Sequence, residues 1–176
     1  MEIKFSLDAA KQILSRTPEI LNLWLSDLPE KWIRNNEGPE TWSPFDIVGH
    51  LLHGEKTDWI ARVKIILNQS GNRKFIPFNR FAQFEESTGK NLHDLLSEFS
   101  AARKANLEYL NSISFDDQSF LLRGIHPHFG EVTLKELLST WVVHDLAHLN
   151  QITRVMAKQY KTEVGPWTEY FRILNS

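Results

Sequence analysis

Seven histidines, His50, His53, His93, His126, His128, His144 and His148, are the residues of this chain best suited to chemistry. Two of them stand in the run His144-Asp145-Leu146-Ala147-His148. Side chains four apart on a helix lie one turn apart on the same face. Their imidazoles can then reach one ion at the roughly 2.0–2.1 Å typical of zinc. At about 100° per residue the pair falls with Leu137, Trp141 and Val155, on a face that carries core residues. Two histidines on such a face can equally form an interhelical hydrogen-bond network, and their spacing alone does not separate the two readings.

A third ligand would separate them. The segment Gly49-His50-Leu51-Leu52-His53-Gly54-Glu55 offers His50 and His53. His50 shares its face with Gly54, Thr57 and Ala61, small residues that leave room for an ion and a substrate. His53 lies about 60° round the helix, nearer the apolar edge. One of the two is expected as the third ligand, with His50 preferred for the uncrowded face. Three protein ligands on a tetrahedral ion leave a position for water or substrate, the pattern of a catalytic site.

His-Asp-x-x-His also resembles the zinc-protease helix motif His-Glu-x-x-His with its acid one methylene shorter. Asp145 is therefore a candidate general base, or a group that orients a ligand histidine, or an ordinary ion-pair partner. A protease is not expected, because an extended peptide is commonly held on a strand edge and none is evident. A di-iron bundle is not expected either, because the Glu-x-x-His pairs it needs are missing.

These residues need helices to present them. Apolar residues recur at helical spacing from Leu7 to Leu28, with Pro18 predicting a kink or break near Thr17. A second helix should start at Ser43-Pro44, an N-cap followed by proline at the first helical position, and run to about Asn68. A third should span Leu92 to Ile113. The fourth should start near Thr133, where Thr133 and Glu136 match a capping box, and end near Lys158. The stretch with Phe75, Phe78, Phe81 and Phe84 is too apolar for a floppy linker and reads as a crossover folded over the bundle. A second long connection contains Gly124, Pro127 and Gly130, and the tail with Trp167, Tyr170 and Phe171 is expected to pack on the bundle. No alternating strand pattern stands out. The expected architecture is all-α: one domain over residues 1–176, a four-helix bundle with long crossover connections.

Composition sets outer bounds. Twenty Lys and Arg against twenty-two Asp and Glu give a formal charge of −2, which offers nucleic acid or an anionic membrane no electrostatic purchase. There is no cysteine, so disulfides, thiolate metal sites and a cysteine nucleophile are excluded. The first ten residues carry Glu2, Lys4 and Asp8 and do not read as a signal peptide. A cytoplasmic setting is the expectation. Six Trp and eleven Phe suit a filled core and the walls of a pocket.

Three pieces in order resemble a known family: Thr41-Trp42-Ser43-Pro44 with Asp46-Ile47-Val48-Gly49-His50-Leu51, then Gly124 through Leu134, then Leu137-Leu138 through Trp141 to His144-Asp145-Leu146-Ala147-His148 and on to Ile152. The combination resembles the DinB-like superfamily of metal-binding four-helix bundles, which includes YfiT-like proteins and bacillithiol or mycothiol transferases. The resemblance implies a metal triad of one histidine on the second helix and two on the fourth, here His50, His144 and His148. It implies zinc or nickel as the divalent ion, a homodimer, and either metal-dependent hydrolysis or thiol transfer on a small molecule. Since the chain has no cysteine, a transferred thiol would be a free low-molecular-weight one. His53 is a possible fourth ligand or neighbour of the ligands, and His126 and His128 are candidates for the pocket mouth. His93 is expected on the solvent side of its helix, and Trp42 and Trp141 in the core. The competing readings are a non-catalytic binding module with a structural metal, and a metal-free helical scaffold.

Overall fold

The computed structural model describes residues 3–175. Met1 and Glu2, which open the charged N-terminal stretch, and Ser176, which ends the tail, lie outside the described residues. Helices account for most of the described chain: α1 (Leu7–Leu25), α2 (Glu30–Arg34), α3 (Pro44–Thr57), α4 (Trp59–Leu67), α5 (Ala82–Glu86), α6 (Leu92–Asn111) and α7 (Leu134–Lys158). A two-stranded antiparallel hairpin, β1 (Arg123–His126) with β2 (Gly130–Thr133), precedes α7. α1 packs on α6 and α7, and α3 packs on the same two helices from the other side. α1 and α3 therefore sit on one diagonal and α6 and α7 on the other, so the connections α1–α3 and α6–α7 each cross the bundle.

Local chemistry sets the ends of the elements. Ser43 accepts from the Asp46 N–H while Asp46 accepts from the Ser43 N–H, with Pro44 at the first helical position of α3. Asn91 with Asp94 and Thr133 with Glu136 close the same reciprocal box on α6 and α7. Each box satisfies donors that a helix start otherwise leaves open.

Three expectations are corrected. Pro18 does not break α1. It cannot donate to the Leu14 carbonyl one turn earlier, and that carbonyl instead accepts from Arg103 Nη1 at 2.6 Å. The second helix is not continuous to Asn68 but bends at Asp58. There Thr57 Oγ1 donates to the His53 carbonyl at 2.8 Å, a side-chain bond of the kind that bends helices. The segment before α7 forms the β1–β2 hairpin rather than plain loop, and Phe75 N–H and Ile125 N–H dock the crossover onto it. The tail packs on α7 as expected, through the turn Arg172–Leu174 with Leu174 buried, while Trp167, Tyr170 and Phe171 stay exposed.

The interior divides in two. One apolar cluster joins Leu21, Leu25, Val48, Leu51, Leu95, Phe99 and Ile152. The other joins Leu14, Trp59, Val63, Leu110, Leu134, Leu138 and Trp141. Between them lies a layer of buried polar side chains, one from each long helix: Thr17, Glu55, Arg103 and Asp145. No helix among the described residues is long and apolar enough to cross a membrane.

Candidate metal centre

α3 and α7 bring three histidines together. His50 Nε2 and His148 Nε2 each lie 3.1 Å from His144 Nε2. The three are the one group among the described residues whose ligand atoms all fall within reach of a shared ion. Bonds of about 2.0–2.1 Å to a tetrahedral ion place donor atoms roughly 3.3 Å apart, close to the spacing found.

Hydrogen bonding within the trio cannot account for that spacing. Gln151 Oε1 accepts from His148 Nδ1 at 2.8 Å, so the neutral ring keeps its lone pair on Nε2. His144 Nε2 has two nitrogen neighbours, yet a neutral ring nitrogen makes one hydrogen bond, as donor or acceptor. One contact is always left unmet. A cation that takes three lone pairs meets all of them. His50 Nδ1 and His144 Nδ1 are buried without a partner among the described residues, and with their protons there both Nε2 atoms face the shared point with free lone pairs.

Burial keeps these rings neutral. It lowers His50 to about 3, reinforced by repulsion from His148, His53 and Arg80. It lowers His144 to about 2, reinforced by His148, His50 and Arg103. It also lowers His148, with the bond to Gln151 and the charge of Asp145 working the other way. Neutral imidazole is the form that binds metal. Aromatic rings brace the ligands: Trp42 lies 4.9 Å from His50, and Trp59 meets His144 edge-on at 5.1 Å.

The cluster opens into a cleft of about 1030 Å³ walled by Trp42, Trp59, Phe78, Phe81 and Phe84. Polar groups at its margins are Asp58, Arg62, Arg80, His126, Gln151 and Arg154. His50 and Gly54 lie one turn apart on one face of α3, and Asp58 follows four residues on, at the C-cap of that helix. The bare Gly54 leaves the space between the other two open, and a Cβ there would come within 3.2 Å of Trp59 Nε1. Asp58 is buried beside Arg62 at 2.7 Å. Burial raises its carboxyl to about 6, against the pull of Arg62 and His53. The sequence reading missed Asp58, and its raised pKa in a cleft was the kind of signal only a structure supplies.

The remaining candidates sort by position. His53 is buried and turned away from the trio, its Nδ1 3.0 Å from both carboxylate oxygens of Glu86 on α5. His126 lines the cleft, and its Nδ1 accepts the backbone N–H groups of His128 and Phe129. His128 and His93 are exposed, and neither lines the cleft. Trp141 is core, but Trp42 is half-buried and forms part of the cleft wall. Asp145 is fully buried, and both its oxygens are held by Arg103 at 2.7 and 3.0 Å. Being next to His144 in sequence puts it about 100° round the helix, facing the core. The general-base role is therefore not supported, and Asp145 is an ion-pair partner inside the bundle.

A four-helix bundle with three convergent imidazoles at the floor of a cleft defines a class of helical proteins that could hold one divalent cation. The family model of the DinB superfamily matches residues 13–152, and the chain belongs to that superfamily. No curated protein matches the chain. Among solved structures it is similar to YfiT from Bacillus subtilis, described as "a probable metal-dependent hydrolase with an unusual four-helix bundle topology". The likeness covers 94% of this chain and 93% of that one, with 20% identity and a TM-score of 0.73, and it shows the shared fold.

Proposed function

We propose that the protein is a metal-dependent enzyme acting on a small molecule, by hydrolysis or by transfer of a free low-molecular-weight thiol. The observation that carries this reading is the convergence of three Nε2 atoms, with no fourth protein ligand among the described residues, at the floor of a large cleft. Zinc and nickel are the ions of the proposal, since both suit an all-imidazole donor set. The description of YfiT as a metal-dependent hydrolase supports the hydrolytic form. A closed structural site with His53 as fourth ligand is disfavoured, because His53 is engaged by Glu86.

Such an ion supplies Lewis acidity, making a water or thiol in its open position a stronger acid. The chain's own groups do the rest. Asp58, whose carboxyl burial raises to about 6, is the cleft group that would accept a proton near neutral pH. The Nδ1 of His126 already accepts two backbone donors, so its proton sits on Nε2, available as a donor to a substrate oxygen. The aromatic walls hold the substrate's apolar part and exclude water. The homodimer implied by the family resemblance belongs to the same proposal, and sedimentation as a monomer at micromolar concentration would remove it.

The test is turnover of a panel of esters, amides and thiol-plus-electrophile pairs by the metal-free and metal-loaded chain. Metal-dependent turnover that is lost in His144→Ala and depressed in Asp58→Asn is expected. Absence of metal-dependent turnover on every pair counts against the enzyme.

A further inference from the structure

The buried polar layer does more than fill the middle of the bundle. Arg103, 1% exposed, is its hub. Its Nη1 donates to Asp145 Oδ2 on α7 and to the Leu14 carbonyl on α1, and its Nη2 donates to Asp145 Oδ1 and to Glu55 Oε1 on α3, at 2.9 Å. Thr17 Oγ1 donates to Asp145 at 2.6 Å, and Trp141 Nε1 and Asn106 Nδ2 complete the shell of Glu55 at 3.0 Å each. One guanidinium thus ties its own helix to the other three.

Two of those attachments lie beside the histidines. Asp145 adjoins His144, and Glu55 is five residues after His50 on the same helix. Trp141, fixed by Glu55, stacks on Trp59 at 5.6 Å, and Trp59 in turn abuts the ring of His144. A slip of α3 against α7 by one turn, about 5.4 Å, would strand both carboxylates from Arg103. The same slip would pull His50 Nε2 away from His144 and His148. Apolar side chains on either side of the layer tolerate sliding far better than a guanidinium with fixed fork geometry. Buried polar groups are known to fix helix register in this way.

We propose that Arg103 is a positioning residue for the cation site, setting the register of α3 against α7 that lets three imidazoles converge. The inference rests on the metal-binding reading above. Its test is the dissociation constant of Co²⁺ and its visible d–d absorption, measured on the folded full chain for wild type, Arg103→Met, Arg103→Lys and Leu110→Ala. Arg103→Met should weaken binding by about 10- to 100-fold and alter the band shape, the range seen when groups supporting metal ligands are removed. Arg103→Lys should fall between, since one ammonium cannot bridge two carboxylates in fork geometry. Leu110→Ala removes apolar packing two turns along α6 and should stay within about twofold of wild type, as distant independent sites do. Arg103→Met binding like wild type, or Leu110→Ala weakening as much as Arg103→Met at equal loss of stability, would overturn the proposal. Should Arg103→Met not fold, Thr17→Val, which deletes only the hydroxyl held by Asp145, takes its place. An unchanged affinity and spectrum there would likewise overturn it. No cobalt uptake by wild type would remove the metal reading itself, and this inference with it.

Discussion

Acid should destabilise the metal-free protein through its histidine cluster. His50 and His144 titrate at about 3 and about 2 in the fold, against an ordinary 6.5, because burial disfavours their charged forms. The unfolded chain therefore binds more protons than the folded one at any pH between those values. Stability is untouched above 6.5 and is lost as pH falls from there toward the folded values. Each affected histidine costs about 1.4 kcal/mol per pH unit. From pH 6.5 to 5.0, with the slope reaching its full value only below the unfolded pKa, the two together cost about 3 kcal/mol, a large part of the 5–15 kcal/mol typical of a domain. At this chain length that corresponds to a fall of about 6–12 °C in Tm. The assay is urea unfolding followed by circular dichroism at several pH values, on metal-free wild type and on His50→Gln/His144→Gln. The difference between the two profiles isolates the histidines from the carboxylates. Wild type should lose about 3 kcal/mol more than the double variant over this interval. Parallel profiles would refute the reasoning, because they would mean that the rings are not buried and neutral. With metal present, proton competition for the ligands at His50 and His144 should begin well below pH 6.5 in the folded chain.

Asp145→Ala should cost about 3–5 kcal/mol of stability, since it leaves Arg103 buried and half-paired; a chain that melts like wild type but loses turnover would restore the general-base role. Gly124→Ala should destabilise by about 1–3 kcal/mol, because its Cβ would lie 2.3 Å from Phe75 Cε1 and force the ring out of place. A higher melting temperature for that variant would contradict the packing described. Ser43→Ala removes the cap of the helix that carries His50 and should cost about 1 kcal/mol in urea unfolding, while a neutral effect would mean that the box is not formed in solution.

The long helices were legible because their signals are local. Ser43-Pro44 and Thr133 with Glu136 marked two starts to the residue, and the apolar periodicity of α6 placed it within two residues at its C-terminus. The five-residue helices α2 and α5 and the four-residue strands are too short for any period to show. The three histidines were legible through a spacing of four on one helix and an uncrowded face on another. Asp58 and Arg103 were not, since their meaning comes from partners brought together by packing. Arg103 reaches residues 42, 48 and 89 positions away, and no pattern in sequence joins them. Asp145 stood open between three roles in the sequence, and its pairing with Arg103, 42 positions away, is what only packing reveals.

The central claim is that three imidazole nitrogens share one cation. Elemental analysis of the purified chain after equilibrium dialysis against zinc tests it most directly. One ion per chain is the expected result, abolished in His144→Ala. Less than about a tenth of an equivalent bound by wild type would contradict it, since a preformed three-histidine site must load at neutral pH.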